Sequence, residues 1–271
     1  ESVPLYINGK GTSTFSLESL FNHHSKSISH PKMTVEFTGN PGWYAVQALS
    51  ALQEPDNEDV ISWAASYYAN KLISYLAETN PEIAYRFNAD TLGVRSSRAL
   101  RQLKELQDEE GAWSWYKGMK GSRYMTTQVM ELLARLQMLT GKPLEEAEAM
   151  KLYTNGMAYL SKEAKKEYDI LKKLDKEGKK LLIPSEQVLH YLYICALNGT
   201  GKGDEAKVNR YFIDRLVKLE NAGALTIYGK ACSAVILQLA GEENKAKEVL
   251  QSLMEYSVYS DEMGRYFDTP S

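Results

Sequence analysis

Gln107 to Trp115 reads "QDEEGAWSW". It follows the helix-like run "VRSSRALRQLKELQ" and precedes the long apolar run "SRYMTTQVMELLARLQMLTG". A loop with Gln107, Gly111 and Trp113 in the pattern Q-x-x-x-G-x-W suits a staple between two helices. The Gln amide can bond backbone groups that a helix end leaves free. Gly111 permits a positive φ in the turn, and Trp113 can lay its ring on the next helix. Trp115 closes the stretch.

Outward from this loop the chain reads as helices. "DNEDVISWAASYYANKLISYLAE" opens on Asp56 or Asn57 as a cap and keeps Ile61, Ala64, Ala65, Tyr68, Leu72 and Leu76 on one side. Asn80 is a cap with Pro81 at the first helical position. "PLEEAEAMKLYTNGMAYL" and "SKEAKKEYDILKKLDKEG" read as a pair of helices, "DEAKVNRYFIDRLVKLE" as one, and "EENKAKEVLQSLMEYSVY" as the last. Ten or eleven helices and almost no strand are expected. Leu139-Thr140-Gly141, Leu197-Asn198-Gly199 and Leu239-Ala240-Gly241 each end an apolar helix before a more polar one. This is the rhythm of repeated αα-hairpins, unevenly spaced. The runs 185–198 and 224–240 are apolar all round, and their partners are one-sided. The fold class expected is all-α: an α/α toroid of helical hairpins, possibly incomplete, with an open solenoid as the other architecture.

Residues 1–40 differ. "VPLYING", "TSTFSLESLF" and "MTVEFTG" are β-like, and Met33, Val35 and Phe37 alternate with polar residues. The organisation expected is a linker or domain edge over 1–40 and a helical domain over 41–271. At the junction, "FTGNPGWYAVQAL" (Phe37–Leu49) opens the first helix on Trp43 and Tyr44 and carries Gln47 inside it.

Composition narrows the function. Apolar residues are 44%, charged residues 25% and the net charge is −3, so there is no basic footprint for nucleic acid. There is no run of about 20 apolar residues to insert in a membrane, and no signal-peptide pattern. The starting "ESVPLY" and final "FDTPS" read as cuts in a longer chain. Cys195 and Cys232 read as buried free thiols, ahead of a disulfide or a metal pair. Tyrosine, at 18 residues, is abundant; it suits surfaces with an apolar side and a wet end. His23, His24 and His30 read as solvated side chains rather than a metal site, and His190 as a satisfied core histidine. The lysine-rich run from Lys162 to Lys180, interleaved with acids, reads as a solvated helix face. No cofactor is expected. No G-x-S-x-G, P-loop, H-E-x-x-H or C-x-x-C occurs. Asp108, Glu109 and Glu110 beside Trp113 and Trp115 leave open a polysaccharide-active enzyme, which pairs carboxylates with aromatic platforms. A generic helical-repeat binding module is a third reading.

The loop pattern resembles the QW motif of triterpene cyclases, themselves α/α toroids, but D-x-D-D, D-D-x-x-D and D-C-T-A-E are absent. "FTGNPGWYAVQALSAL", "YYANKL", "LQDEEGAWSWYKGMKGSRYMTTQVMELLARL" and "EMGRYF" together resemble the bacterial α2-macroglobulin family, from about Met33 to the end. The region is its thioester-containing domain, in versions like those of Bacteroidetes-like Gram-negative bacteria. The resemblance implies an α/α toroid hung between β-sandwich domains. It also implies a periplasmic or outer-membrane-anchored lipoprotein whose partners are its own neighbouring domains and the target proteases it traps. Thioester-bearing members carry a Cys-x-Glu-Gln motif near the start of the toroid. Here no C-x-E-Q occurs anywhere, and Trp43, Tyr44 and Gln47 stand near that place. The expectation is a non-catalytic protease-inhibitor domain that traps sterically, with no thioester, metal or catalytic residues.

Overall fold

The computed structural model describes residues 11, 12, 14, 41–177, 183–199, 204–261 and 264–267. The chain divides into two compact units, Glu1–Pro41 and Gly42–Ser271. The expected β-like segment and His23, His24 and His30 lie outside the described residues.

The described part is all-α, with ten α-helices and one two-stranded sheet. In chain order the helices are α1 (Pro41–Ala51), α2 (Val60–Thr79), α3 (Pro81–Arg86), α4 (Ala89–Leu106), α5 (Arg123–Thr140), α6 (Ala147–Lys176), α7 (Glu186–Asn198), α8 (Asp204–Val217), α9 (Ile227–Leu239) and α10 (Glu243–Met254). A 3₁₀ turn, Ala222–Ala224, precedes α9. Strands β1 (Ser257–Ser260) and β2 (Gly264–Phe267) pair antiparallel, Ser257 opposite Phe267.

The helices alternate between two rows. The inner row runs α2, α5, α7, α9, each packed on the next. Outside it, α4 backs α2, α6 backs α5 and α7, α8 packs on α6 and α9, and α10 backs α9. Sequence explains the alternation. In α7 every residue from Val188 to Cys195 is buried, because it has neighbours on all sides. The outer helix α10 buries only Ala246, Val249 and Leu253, a single stripe. Three inner helices stop at the glycines of the recurring punctuation: Gly141, Gly199 and Gly241 have φ of 63°, 61° and 83°.

Several boundaries differ from expectation. Asp59, not Asp56 or Asn57, caps α2: its Oδ1 accepts from Ile61 N and Ser62 N, both at 2.9 Å. The buried face of α2 is Trp63, Tyr67, Asn70 and Ile73 as well as Ala64, because α4 and α5 clasp it from two sides; Ile61, Ala65, Tyr68, Leu72 and Leu76 are half-buried. The two helices expected over 143–178 are one 30-residue helix. Leu160 and Ala164 continue the buried stripe straight through Ser161, where the second helix was expected to begin. The run "AGALTIYGKA" breaks at Thr226, whose side chain caps α9 through Gly229 N. The last helix ends at Met254, and the β-branched and aromatic stretch after it forms the hairpin. Helix α1 starts at Pro41, a residue suited to the first helical turn.

Candidate functional site

The Gln107–Trp115 loop is a staple with a complete set of bonds. Gln107 and Trp113 face each other as an isolated antiparallel bridge. Helix α4 leaves its last four carbonyls free, and the loop answers two of them. The Trp113 indole N–H donates to Leu103 O at 2.8 Å, and Ser114 N donates to Leu106 O at 3.2 Å. The Gln107 amide reaches further than a helix end: Nε2 donates to Gly111 O at 3.2 Å and to Leu152 O, inside α6, at 2.9 Å. Its Oε1 accepts from Asn155 Nδ2 at 3.3 Å. Gly111 has φ 89°, and a Cβ there would lie 2.3 Å from Asn155 O, so the loop is pressed against α6. Trp113 is fully buried, and its backbone N–H donates to Thr126 Oγ1 of α5 at 2.8 Å. The loop therefore ties α4, α5 and α6 together.

Two of the three acids of this loop are occupied, and Glu109 is exposed. Asp108 Oδ1 accepts from Glu110 N and Ala112 N, each at 2.9 Å, and shapes the turn. Glu110 pairs with Lys162 at 3.1 Å. Trp113 belongs to the core, and Trp115, 47% exposed, is stacked beside Tyr116. Trp113, one of the two aromatics that the sugar reading relied on, is therefore closed off in the core.

The sequence reading of Trp43, Tyr44 and Gln47 placed them at the mouth of α1. Trp43 is half-buried with Val46 and Leu49 against a small cluster of Ile73, Ile83 and Leu92, and Arg86 lies over its ring at 5.4 Å. Tyr44 is 45% exposed and covers little. Gln47 is exposed on the same helix. Neither cysteine is near them in sequence; Cys195 and Cys232 are both free and buried, in α7 and α9. Burial pushes the Cys232 thiol up to about 11, which keeps it protonated and unreactive at neutral pH. Among the described residues no group of His, Cys, Asp and Glu could hold a metal ion.

A second polar cluster lies on the inner row, and of its members the sequence pointed only to His190. His190 of α7 is buried, with Nε2 at 2.5 Å from Glu131 Oε2 of α5. Arg135, one turn on, donates Nε to Glu131 Oε1 at 2.6 Å. Tyr193 stands under the Arg135 guanidinium at 5.5 Å, and the Tyr228 ring of α9 meets His190 edge-on at 5.3 Å. Burial works to raise the Glu131 pKa, but the hydrogen bonds from His190 and Arg135 outweigh it and hold the carboxyl below its usual range. The cluster bolts α5, α7 and α9 together. It was hidden from the sequence because its members come from three helices, and only the i, i+4 pair Glu131 and Arg135 is visible on one.

No protein-family model matches the sequence, and no curated protein does. Solved structures do match. Native alpha-2-macroglobulin of E. coli, seen by cryo-electron microscopy, aligns over 80% of this chain and 13% of its own, at 11% identity and a TM-score of 0.51. The crystal structure of the same protein from domain MG7 to the C-terminus aligns over 80% of this chain and 32% of its own, at 12% identity and a TM-score of 0.50. The chain thus shares the fold of a helical domain in alpha-2-macroglobulin, and it spans less than a third of the length of either matched chain.

Proposed function

We propose that this chain is a helical domain of a larger bacterial alpha-2-macroglobulin-like protein, built as part of an α/α toroid. It serves protease inhibition by steric trapping, without a thioester and without catalysis of its own. The observation that carries this reading is the likeness to E. coli alpha-2-macroglobulin over 80% of the chain, in a sequence with no C-x-E-Q. The staple and the His190–Glu131 pair support it: these groups are engaged in holding helices, and Cys232 is a protonated, buried thiol. The domain's direct partners are then neighbouring domains of the parent chain, and proteases are met through the whole protein. The parent would be periplasmic or outer-membrane-anchored, as in Bacteroidetes-like relatives.

The test uses the full-length parent mixed with trypsin. Cleavage of a large protein substrate is expected to fall while cleavage of a small chromogenic one persists. Equal loss of both, or loss of neither, would overturn trapping. Methylamine treatment is expected to release no thiol; a stoichiometric release would overturn the thioester-less reading alone.

A further inference from the structure

Tyrosine's abundance has one concentrated expression on the inner row. Arg135 has five N–H donors, and only Nε is bonded, to Glu131. No described residue accepts from Nη1 or Nη2, and the side chain is 42% exposed. The guanidinium is nonetheless fixed, by Glu131 at its Nε and by the Tyr193 ring at 5.5 Å. Tyr68 of α2 and Tyr193 of α7 both lie within range of its charge. Neither phenol oxygen has a hydrogen-bond partner among the described residues. Tyr228, 42% exposed, stands on the α9 side of the same cluster, against His190. Arg135 thus presents an oriented, half-open fork of donors where α5 meets α7.

We propose that Arg135, held by Glu131 and over the Tyr193 ring, forms a binding site for a carboxylate group. The two Nη amines offer the paired geometry that a carboxylate takes up. Glu131 selects the charge. Its own negative charge behind the guanidinium repels a phosphate dianion more than a monoanionic carboxylate. A cation is excluded, because Arg135 already occupies the aromatic niche. The site does not depend on the trapping function. The carboxylate can come from an acidic side chain or from a peptide C-terminus, which share this chemistry.

The experiment is an NMR titration of the folded chain carrying labelled Arg side chains and Tyr rings. The probes are N-acetyl-glutamate amide, N-acetyl-alanine and inorganic phosphate. Saturable shifts at Arg135 and Tyr193 with either carboxylate, and weaker binding of phosphate, are expected. The stronger of the two carboxylate probes identifies the source. Arg135→Gln should weaken binding about tenfold or more, the value of one charge-assisted hydrogen bond. Arg135→Lys keeps the charge beside Glu131 but loses the fork, and should also weaken it. Shifts that do not saturate, that persist unchanged in Arg135→Gln and Arg135→Lys, or that favour phosphate would overturn the site.

Discussion

Two glycines inside helices should respond to alanine with opposite signs. Gly156 lies in α6 and Gly93 in α4. In a helix interior alanine is better than glycine by about 1 kcal/mol, chiefly through backbone entropy. Gly93 is exposed and has nothing within 4 Å of a new Cβ, so Gly93→Ala should realise that gain. At Gly156 the Cβ would lie 2.5 Å from Met130 Sδ and 2.8 Å from Trp113 Cζ3. Met130 can shift, because its chain is flexible. Trp113 cannot easily do so, because its indole N–H is held on Leu103 O and its backbone on Thr126. Overpacking of this kind costs roughly 1–3 kcal/mol, which offsets or exceeds the helix gain. The two variants should therefore differ by roughly 1–3 kcal/mol, or roughly 2–12 °C in Tm for a domain of this size. Urea denaturation followed by circular dichroism and by tryptophan fluorescence measures both. Adding Met130→Ala should recover only part of the Gly156→Ala loss, read as a coupling energy in a double-mutant cycle. If Gly156→Ala stabilises as much as Gly93→Ala, the close approach of α6 to Trp113 is wrong, and with it the account of the staple.

Other outcomes follow from the same geometry. Gly111→Ala should destabilise by more than the roughly 1–2 kcal/mol of a left-handed residue, since its Cβ also meets Asn155 O at 2.3 Å; a thermal melt unchanged within a degree would refute this. Glu131→Gln should cost roughly 1.5–3 kcal/mol at pH 7 through its charged hydrogen bonds. The folded-state pKa of Glu131 is depressed, so its contribution is present above the unfolded carboxylate range and fades as pH falls through the folded value. Urea midpoints of wild type and variant should converge towards low pH, and a gap independent of pH would contradict that origin. Both cysteines should resist a disulfide reagent at pH 8 in the native protein and react when it is unfolded, which a simple absorbance assay reads. Gln47→Ala, on the exposed side of α1, should change stability little and remove no covalent activity.

Much of the fold was legible because its signals are local. The glycine punctuation marked the ends of α5, α7 and α9, and apolar periodicity distinguished helices buried all round from one-sided ones. What misled was also local. The join between Leu160 and Ser161 was read as a break between two helices, and only tertiary packing shows why α6 runs on: the absent side chain at 156 admits Trp113. Asp56 and Asn57 were as good caps as Asp59 by residue type. The choice falls to Asp59 because Val60 N is taken by Trp115 O at 3.0 Å, a contact from 55 residues away in the chain. The staple residues Gln107, Gly111 and Trp113 could be read from their spacing, although the reach of Gln107 to Leu152 could not. The Glu131, Arg135, His190 and Tyr193 group could not be read, since nothing in the sequence says which turn of α5 faces which turn of α7.

The length of α6 alters how this chain should come apart. In a simple repeat array each hairpin touches only its neighbours, and stability is close to a sum of separable units. Here one helix receives the staple near its start at Leu152, packs on α5 and α7 along its course, and meets Arg215 and Tyr211 of α8 through Asp175 at its end. A repeat cannot fray without stripping the helix that the other repeats also share. The consequence is cooperativity: the middle of the molecule is built to unfold as one piece, and amide protection should change along α6 all at once rather than in steps from one end.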